Sequence, residues 1–446
     1  MMAFLRPYGF TALVLFVVPA FHCPAATGEH PNRVLTLVEC MERGLAANGE
    51  LKAAQDKIFQ ADQVRRRART EFLPEFAMTY GYQKTDAPEA IDLDLPRSGP
   101  LHLEVSGTDN FKWVGTVTQP LFKGFGIIGN YRRAVLGVDR ARADTELEKI
   151  DLALRVKQAY FNVLVSEKLV QVAEQAVTSL TAHFKNAESF YELEMIPPNK
   201  LLEVEVELGS AEYERVRAVN ASRQSRAALN TLLSLPVDAP VILEDVLSFL
   251  PVDENYDDCV SRALEQRPEI RSIQLGILQV DQEIIMARSK MYPEIGLQYR
   301  QVKEGDSFDV TGSRFHDPNG WEISAALNWV LWQWGKTRHS VAEKKSRRDE
   351  LLNLKKALED NIRLEVKSAL LELDQAEANV PRAARSVELG EENLRVSRER
   401  FAARAAASTE VLDAQTLLTR AKSDYFHAVY DHNLAKAALK RALGTY

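Results

Sequence analysis

The sequence predicts a mainly α-helical fold with a small membrane β part, organised as a two-fold internal repeat of long coiled-coil helical hairpins plus four β-strands. Three observations predict it. The chain overlays on itself once at long range, its longest helical stretches carry a heptad pattern, and four short segments alternate apolar with polar residues. A shift of 219 residues places Cys40 on Cys259, Asp62-Gln63 on Asp281-Gln282, Ala68-Arg69 on Ala287-Arg288 and Tyr80 on Tyr299. Further along the shift is 210, pairing Val156-Lys157 with Val366-Lys367 and Ala227-Ala228-Leu229 with Ala437-Ala438-Leu439. So long a period is no solenoid unit; it means two copies of one structural half.

At the N-terminus Arg6 precedes the apolar run from Phe10 to Ala20, and Cys23-Pro24-Ala25-Ala26 follow. That order of charged, apolar and small residues predicts a secretory signal peptide at 1–26, cleaved after Ala25 or Ala26. A buried N-terminal helix is the plainer alternative. A lipid anchor on Cys23 is disfavoured, because Phe21 and His22 are bulky where such a signal wants small residues. No later stretch reaches the ~20 apolar residues of a spanning helix. A net charge of −7 argues against a nucleic-acid partner. Cys40 and Cys259 sit at equivalent repeat positions and are expected as small buried residues rather than a disulfide.

Each half reads helix, strand, loop, strand, long helix, turn, helix. The domains expected are 27–234 and 256–446, joined by a linker at 235–255. Shorter helices are expected at about 35–70 and 199–233, long ones at about 127–193 and 336–403. In the first long helix Val156, Val163, Val170 and Val177 recur every seven residues, with Ala159, Ser166, Ala173 and Leu180 three places on. Val366, Leu373, Val380 and Val387, with Ala369, Ala376, Ala383 and Gly390, do the same in the second. A sustained 3.5-residue period places helices in coiled-coil contact, and the small second row allows close approach. Each rod is roughly 100 Å long, so two half-length helices stacked end to end match one. Pro381 is expected to bend the second rod.

Strands are expected at about 73–84, 111–122, 292–303 and 321–332. Trp321, Ile323, Ala325, Leu327 and Trp329 share one face, with Glu322, Ser324, Ala326 and Asn328 opposite; Phe76, Met78, Tyr80 and Tyr82 likewise share a face. Such alternation with aromatics at the ends is the pattern of an outer-membrane β-barrel, whose Trp and Tyr favour the headgroup level. A soluble sheet with one buried face is the bland alternative. The lipid-facing aromatics on the barrel reading are Tyr80, Trp113, Tyr299, Trp321 and Trp329. Four strands leave two edges unpaired in lipid, so three copies are expected to supply 12 strands. The loops at 85–110 and 303–319 are polar and suit the outer surface.

The chain resembles the TolC-like outer-membrane efflux (outer membrane factor) family over nearly all of its length beyond the leader. The residues that carry the resemblance are Ala68-Arg69 through Leu73-Pro74, Ala287-Arg288 through Tyr292-Pro293, Gln119-Pro120-Leu121-Phe122 with Gly124, Trp329-Val330-Leu331-Trp332 with Gly335, and Thr409-Glu410-Val411-Leu412-Asp413-Ala414-Gln415. The resemblance implies a homotrimer whose 12-strand β-barrel continues as a periplasmic α-helical barrel. It also implies the partners: a periplasmic adaptor (membrane fusion) protein, an inner-membrane transporter and outer-membrane lipid. The role implied is the passive exit duct of a tripartite efflux pump or type I secretion system, in a Gram-negative outer membrane.

By motif position Glu410 and Asp413 match the family's constricting acidic ring near the tip, where converging carboxylates repel and attract cations. Acids welcomed by a helix N-terminus are the structural alternative. Their first-half equivalents are Lys200 and Glu203, making any ring mixed. At the adaptor-contact tips this chain has Glu194 and Arg404 where the family usually has glycine; Pro197-Pro198 still supplies a stiff turn, with Pro198 opening the next helix. Arg65, Arg66, Arg67 and Arg69 invite either lipid headgroups or a simple helix C-terminal charge effect. No catalytic, cofactor or metal constellation is legible: the eight histidines are scattered, and His427 and His432 are poorly spaced for joint coordination. The rival to a duct is a pore-free periplasmic coiled-coil tether, which has no use for four alternating, Trp-bearing segments.

Overall fold

The computed structural model describes residues 34–95, 99–315 and 317–446; the expected leader, with Cys23, lies outside them. In chain order the elements are β1 (Val34–Leu35), α1 (Leu37–Ala47), α2 (Gly49–Thr70), β2 (Glu75–Lys84), β3 (Ala90–Leu95), β4 (Gly99–Glu104), β5 (Asp109–Lys123), α3 (Gly126–Glu192) and α4 (Pro198–Leu232). Then come β6 (Ile242–Leu243), α5 (Tyr256–Gln266), α6 (Pro268–Ser289), β7 (Glu294–Gly305), β8 (Gly320–Asn328), α7 (Lys336–Ala402) and α8 (Ser408–Ala442). The protein is mainly helical.

The helix expected at 35–70 is two helices. Thr36 opens α1 with a reciprocal capping box to Glu39. Asn48, extended at φ −60° and ψ 131°, ends α1 and caps α2 by accepting from the Glu50 and Leu51 amides. An Asn that caps more favourably than it propagates breaks the run. Arg267 followed by Pro268 makes the corresponding break between α5 and α6.

Both long helices span 67 residues, about 100 Å, and α7 is assigned as continuous helix through Pro381. The upper helices pack in the row α2–α3–α6–α7 and the lower ones in the row α4–α3–α8–α7. The half-length helices do stack: α8 ends against the start of α6, with Gly444 so close to Arg267 that a Cβ would lie 3.1 Å from its Cα. At the foot of α1, Ser234 just past α4 donates to the Ala47 carbonyl at 3.2 Å.

Two apolar clusters lie at this waist. One joins Cys40, Leu51, Val156, Tyr160, Val163, Leu229 and Leu233; the other joins Cys259, Ile270, Ile362, Val366, Leu373 and Leu439. Both cysteines are buried and free, in separate clusters, and burial pushes the Cys40 thiol up to about 11. The parallel pair β1–β6, too short for any sequence pattern, straps the first cluster. The Tyr160 hydroxyl lies 2.7 Å from the Glu244 carbonyl and 3.1 Å from that of Leu35, pinning both sides of the strap.

The loop expected at 85–110 holds the ribbon β3–β4, which pairs Ile91 with Leu103 and Leu93 with Leu101. Alternation over only six residues per strand, in a polar context, hid it. The last expected strand stops at Asn328 rather than 332, because Trp334 and Gly335 both take left-handed backbone to enter α7.

Removing the Tyr160 hydroxyl (Tyr160→Phe) leaves two strap carbonyls without this donor. The expected cost is about 1–3 kcal/mol, read as a lower urea midpoint in detergent with an unchanged m-value.

Candidate functional site

Three surfaces assemble the residues singled out by sequence: the four-stranded sheet, the hairpin tips and the charged side chains near them. The sheet order is β2-β5-β7-β8, all antiparallel, so the protomer leaves one edge of β2 and one edge of β8 free. Register opposes Tyr80 to Trp113, Trp113 to Lys303, Val117 to Tyr299, and Tyr299 to Ile323. Opposed residues share a face. Tyr80, Trp113, Tyr299 and Trp321 therefore line one face together with Phe76, Met78, Ile323 and Leu327, and Trp329 continues its parity just beyond β8. Trp321 is 70% exposed in the protomer and Trp329 54%. The Trp113 ring covers Gly115, where a Cβ would come within 2.6 Å of it.

The rims of this face are aromatic at both ends. At one end Tyr82, Phe111, Tyr80 and Phe308 cluster, and the Tyr80 hydroxyl donates to the Phe308 carbonyl at 2.6 Å. At the other, Trp329 Nε1 donates to the Met291 carbonyl at 3.1 Å, Trp332 stacks edge-on with Trp334, and Phe125 meets Phe122 and Tyr292. The opposite face is polar: Lys112 forms an ion pair with Glu304, and Arg300 opposes Glu322 in register. Two-residue parity carried this signal, but only the register shows that the four strands agree.

At the tips, the turns after α3 and α7 are matched. Met195 N–H donates to Phe190 O and Glu194 N–H to Tyr191 O; Ala405 donates to Arg400 and Arg404 to Phe401. Both are Schellman closures, whose left-handed position normally takes glycine. Here Glu194 holds φ 55° and Arg404 φ 62°, each a conformation that costs an L-residue about 1–2 kcal/mol. Both side chains are exposed, as are Pro197 and Pro198. Arg404 lies 6.0 Å from the Phe190 ring centroid, and no ion pair among the described residues joins it to Glu194. Pro198 opens α4.

Pairing sorts the charges near the tips. Arg400 binds Glu410 at 2.9 Å, and the Lys200 ammonium grips both carboxylate oxygens of Glu203 at 2.8 and 2.9 Å. Asp413 is exposed and has no ion-pair partner among the described residues. Arg400 escaped the sequence reading, although it stands only ten residues before Glu410. Also missed was buried His183, whose Nε2 sits 2.8 Å from Ser408 Oγ and whose ring meets Phe401 edge-on at 4.8 Å. Burial, and secondarily the nearby Arg398, depresses His183 to about 4. Ser179 bonds Gln415 of α8 and Arg398 of α7, and Lys422 reaches Gln175 at 3.1 Å, so hydrogen bonds tie α3 to α8 along this stretch. Of the arginine cluster, Arg65 and Arg66 are both held by Asp62.

An aromatic-rimmed apolar strand face, a polar opposite face and 100 Å rods below it form a pattern that recurs in known proteins. The family model for outer membrane efflux proteins matches residues 41–234 and 259–445. The chain belongs to that family. It is similar to the alkaline protease secretion protein AprF of Pseudomonas aeruginosa, 20% identical over 417 residues, covering 91% of this chain and 84% of that one. Its fold is similar to the Campylobacter jejuni CmeC outer membrane channel, with TM-score 0.79 and 18% identity over 92% of this chain and 85% of that one. The Vibrio cholerae outer membrane protein VceC gives TM-score 0.76 and 15% identity over 92% and 96%. This efflux-family chain is an outer-membrane exit duct with a periplasmic extension, and the CmeC protein it resembles in fold is an outer membrane channel.

Two predictions follow from the pairing at the tips. Asp413→Ala should raise single-channel conductance in planar bilayers more than Glu410→Ala, whose carboxylate is already neutralised; equal effects would contradict the assignment. For His183 the folded pKa lies below the unfolded value near 6.5, so its neutral form stabilises above pH 6.5 and that stability is lost as pH falls towards 4. The loss is on the order of 3 kcal/mol, and His183→Gln should flatten the melting-temperature profile over that window.

Proposed function

We propose that three copies of this chain close a 12-strand β-barrel in outer-membrane lipid and continue it as a periplasmic α-helical barrel. Residues 27–234 and 256–446 are two copies of one half, bridged by 235–255, and the recurrence of helices of 11, 22, 67 and 35 residues in each supports that reading. The observation that carries the assembly is that every lateral boundary of the protomer is unfinished. The sheet ends in free strand edges, and hydrocarbon tolerates none.

The helix rows end the same way. Along α4 the exposed Leu202, Val206, Gly209, Tyr213 and Val216 recur at alternating four- and three-residue spacing, a coiled-coil seam with nothing on it. Leu364, Leu371, Leu389 and Val396 stand exposed along α7 at the other end of the row. A threefold arrangement presents α4 of one copy to α7 of the next.

In this assembly Tyr80, Trp113, Tyr299, Trp321 and Trp329 face lipid, while Lys112, Arg300, Glu304 and Glu322 face the bore. Asp413 supplies the free charge of the periplasmic gate, with Glu410, Lys200 and Glu203 as a neutralised surround. The tips at Glu194, Pro197, Pro198 and Arg404 meet a periplasmic adaptor, and an inner-membrane transporter supplies the energy for small molecules or polypeptides. A pore-free tether gives the lipid-type face no role.

The test is native mass and conductance of the purified protein in detergent. A trimer that conducts ions is expected, and a monomer that stays soluble without detergent would overturn the proposal. Ile323→Arg, at the middle of the apolar face, should cost about 2–4 kcal/mol of barrel stability and deplete trimers from the outer membrane.

A further inference from the structure

The two hairpin tips of a protomer are chemically different, and the backbone holds them so at a cost. Glycine fits a left-handed Schellman position without strain, yet Glu194 and Arg404 occupy both. Backbone strain kept at an exposed turn points to a use for the side chain that sits there. Neither charge meets an opposite one among the described residues. Among the described residues Glu194 makes no ion pair, and the contact recorded for the Arg404 guanidinium is the Phe190 ring. The two are not paired to each other, although their tips adjoin through Phe190 and Phe401, 5.3 Å apart.

The surroundings extend the contrast. From 188 to 200 the first tip carries three acids, Glu188, Glu192 and Glu194, against one base, Lys200. Lys200 is consumed by Glu203. From 398 to 410 the second tip carries three bases, Arg398, Arg400 and Arg404, against two acids. Both of those acids are consumed, Glu410 by Arg400 and Glu399 by Arg395, which leaves Arg398 and Arg404 as the bases without an ion pair among the described residues. The first tip also exposes an apolar knob, Leu193 at 62% and Met195 at 43%, whereas alanines at 402, 403, 405, 406 and 407 flank Arg404.

We infer that the periplasmic mouth is an alternating ring of acidic and basic docking tips, which selects a partner protein presenting two unlike ends. A basic end with an apolar groove seats on Glu194 and Leu193, and an acidic end that approaches closely over the alanines seats on Arg404. The inference rests on the trimeric duct proposed above, in which the two tips alternate around the axis. It adds that the tips are not interchangeable and that their opposite charges set the partner's rotational register.

The test uses the full-length protein in detergent and two synthetic helical-hairpin peptides, identical except for a lysine-bearing or a glutamate-bearing loop, each with a photo-crosslinker. At low salt the lysine probe should crosslink to the first tip about fivefold more than the glutamate probe, and the preference should reverse at the second tip. Raising the salt should erase both preferences. The exchange E194R/R404E should swap them. E194G and R404G should remove them while leaving native mass and melting temperature undiminished. Equal crosslinking of both probes to both tips, or a preference that survives in the glycine variants, overturns the inference. If the protein is instead not a conducting trimer, the duct reading itself fails.

Discussion

An unpaired strand edge in hydrocarbon is the constraint from which the rest of the molecule follows. Each open N–H or C=O there costs several kcal/mol, and β2 and β8 each present a row of them. The sheet can exist in a bilayer only as part of something closed, and the proposed trimer supplies that closure between copies. This explains why so much apolar surface stands exposed in one protomer, with Trp321, Phe76 and Leu327 on the sheet and Val206 and Leu371 on the helices. In a protein that worked alone, such patches would be aggregation sites. The register then does double duty. By putting Tyr80, Trp113, Tyr299 and Trp321 on one side, it puts Lys112, Arg300, Glu304 and Glu322 on the other.

Below the sheet the constraint becomes one of length. In the proposed helical barrel, a wall made of 67-residue rods would have gaps unless shorter helices filled them end to end, and those of 11, 22 and 35 residues together match one rod to within a residue. The joint between stacked helices exposes unsatisfied termini. On the second side it is closed by charge: Arg267, only 3% exposed, binds Glu269 and Glu365, and Arg441 at the end of α8 binds Glu365 and Asp151. Burial alone would raise the Glu269 carboxyl, but hydrogen bonding to Arg267 and the charge of Arg441 hold it below its ordinary value. Buried charges of this kind stabilise little against an apolar alternative. What they supply is a fixed junction between α6, α7, α8 and α3. On the first side the strap β1–β6 and Tyr160 do the same work without charge.

What was legible in the sequence was whatever repeats. The heptads of α3 and α7 and the alternation in β2 and β8 depend on local spacing, which the chain displays openly, whereas the glycine departures at Glu194 and Arg404 were legible only through the family resemblance. The break at Asn48 was less visible, because one cap residue inside a helical stretch looks like an ordinary polar position until its side chain takes the Glu50 amide. The two-residue strands β1 and β6 carry no period at all; they exist because Tyr160 and the waist cluster hold them. His183 was invisible for another reason. A histidine in a helical heptad looks solvent-exposed until Phe401 and Ser408, more than 200 residues away, cover it.

The gate shows why composition misjudges electrostatics even when the right residues are named. Reading Glu410 and Asp413 together gives six carboxylates converging on the axis of a trimer. The contacts halve that number, because Arg400 reaches across the turn from α7 and neutralises Glu410. The Lys200–Glu203 pair likewise takes the first hairpin out of the balance. In the proposed trimer, three free carboxylates several ångströms apart in a hydrated bore would repel by only about 1 kcal/mol per pair, an amount that one bound cation or a modest widening relieves. A ring of six would demand permanent counterions to stay shut. In the proposed trimer, pairing would thus set the mouth at a charge strong enough to attract cations yet weak enough that opening is not opposed by a locked ion cluster.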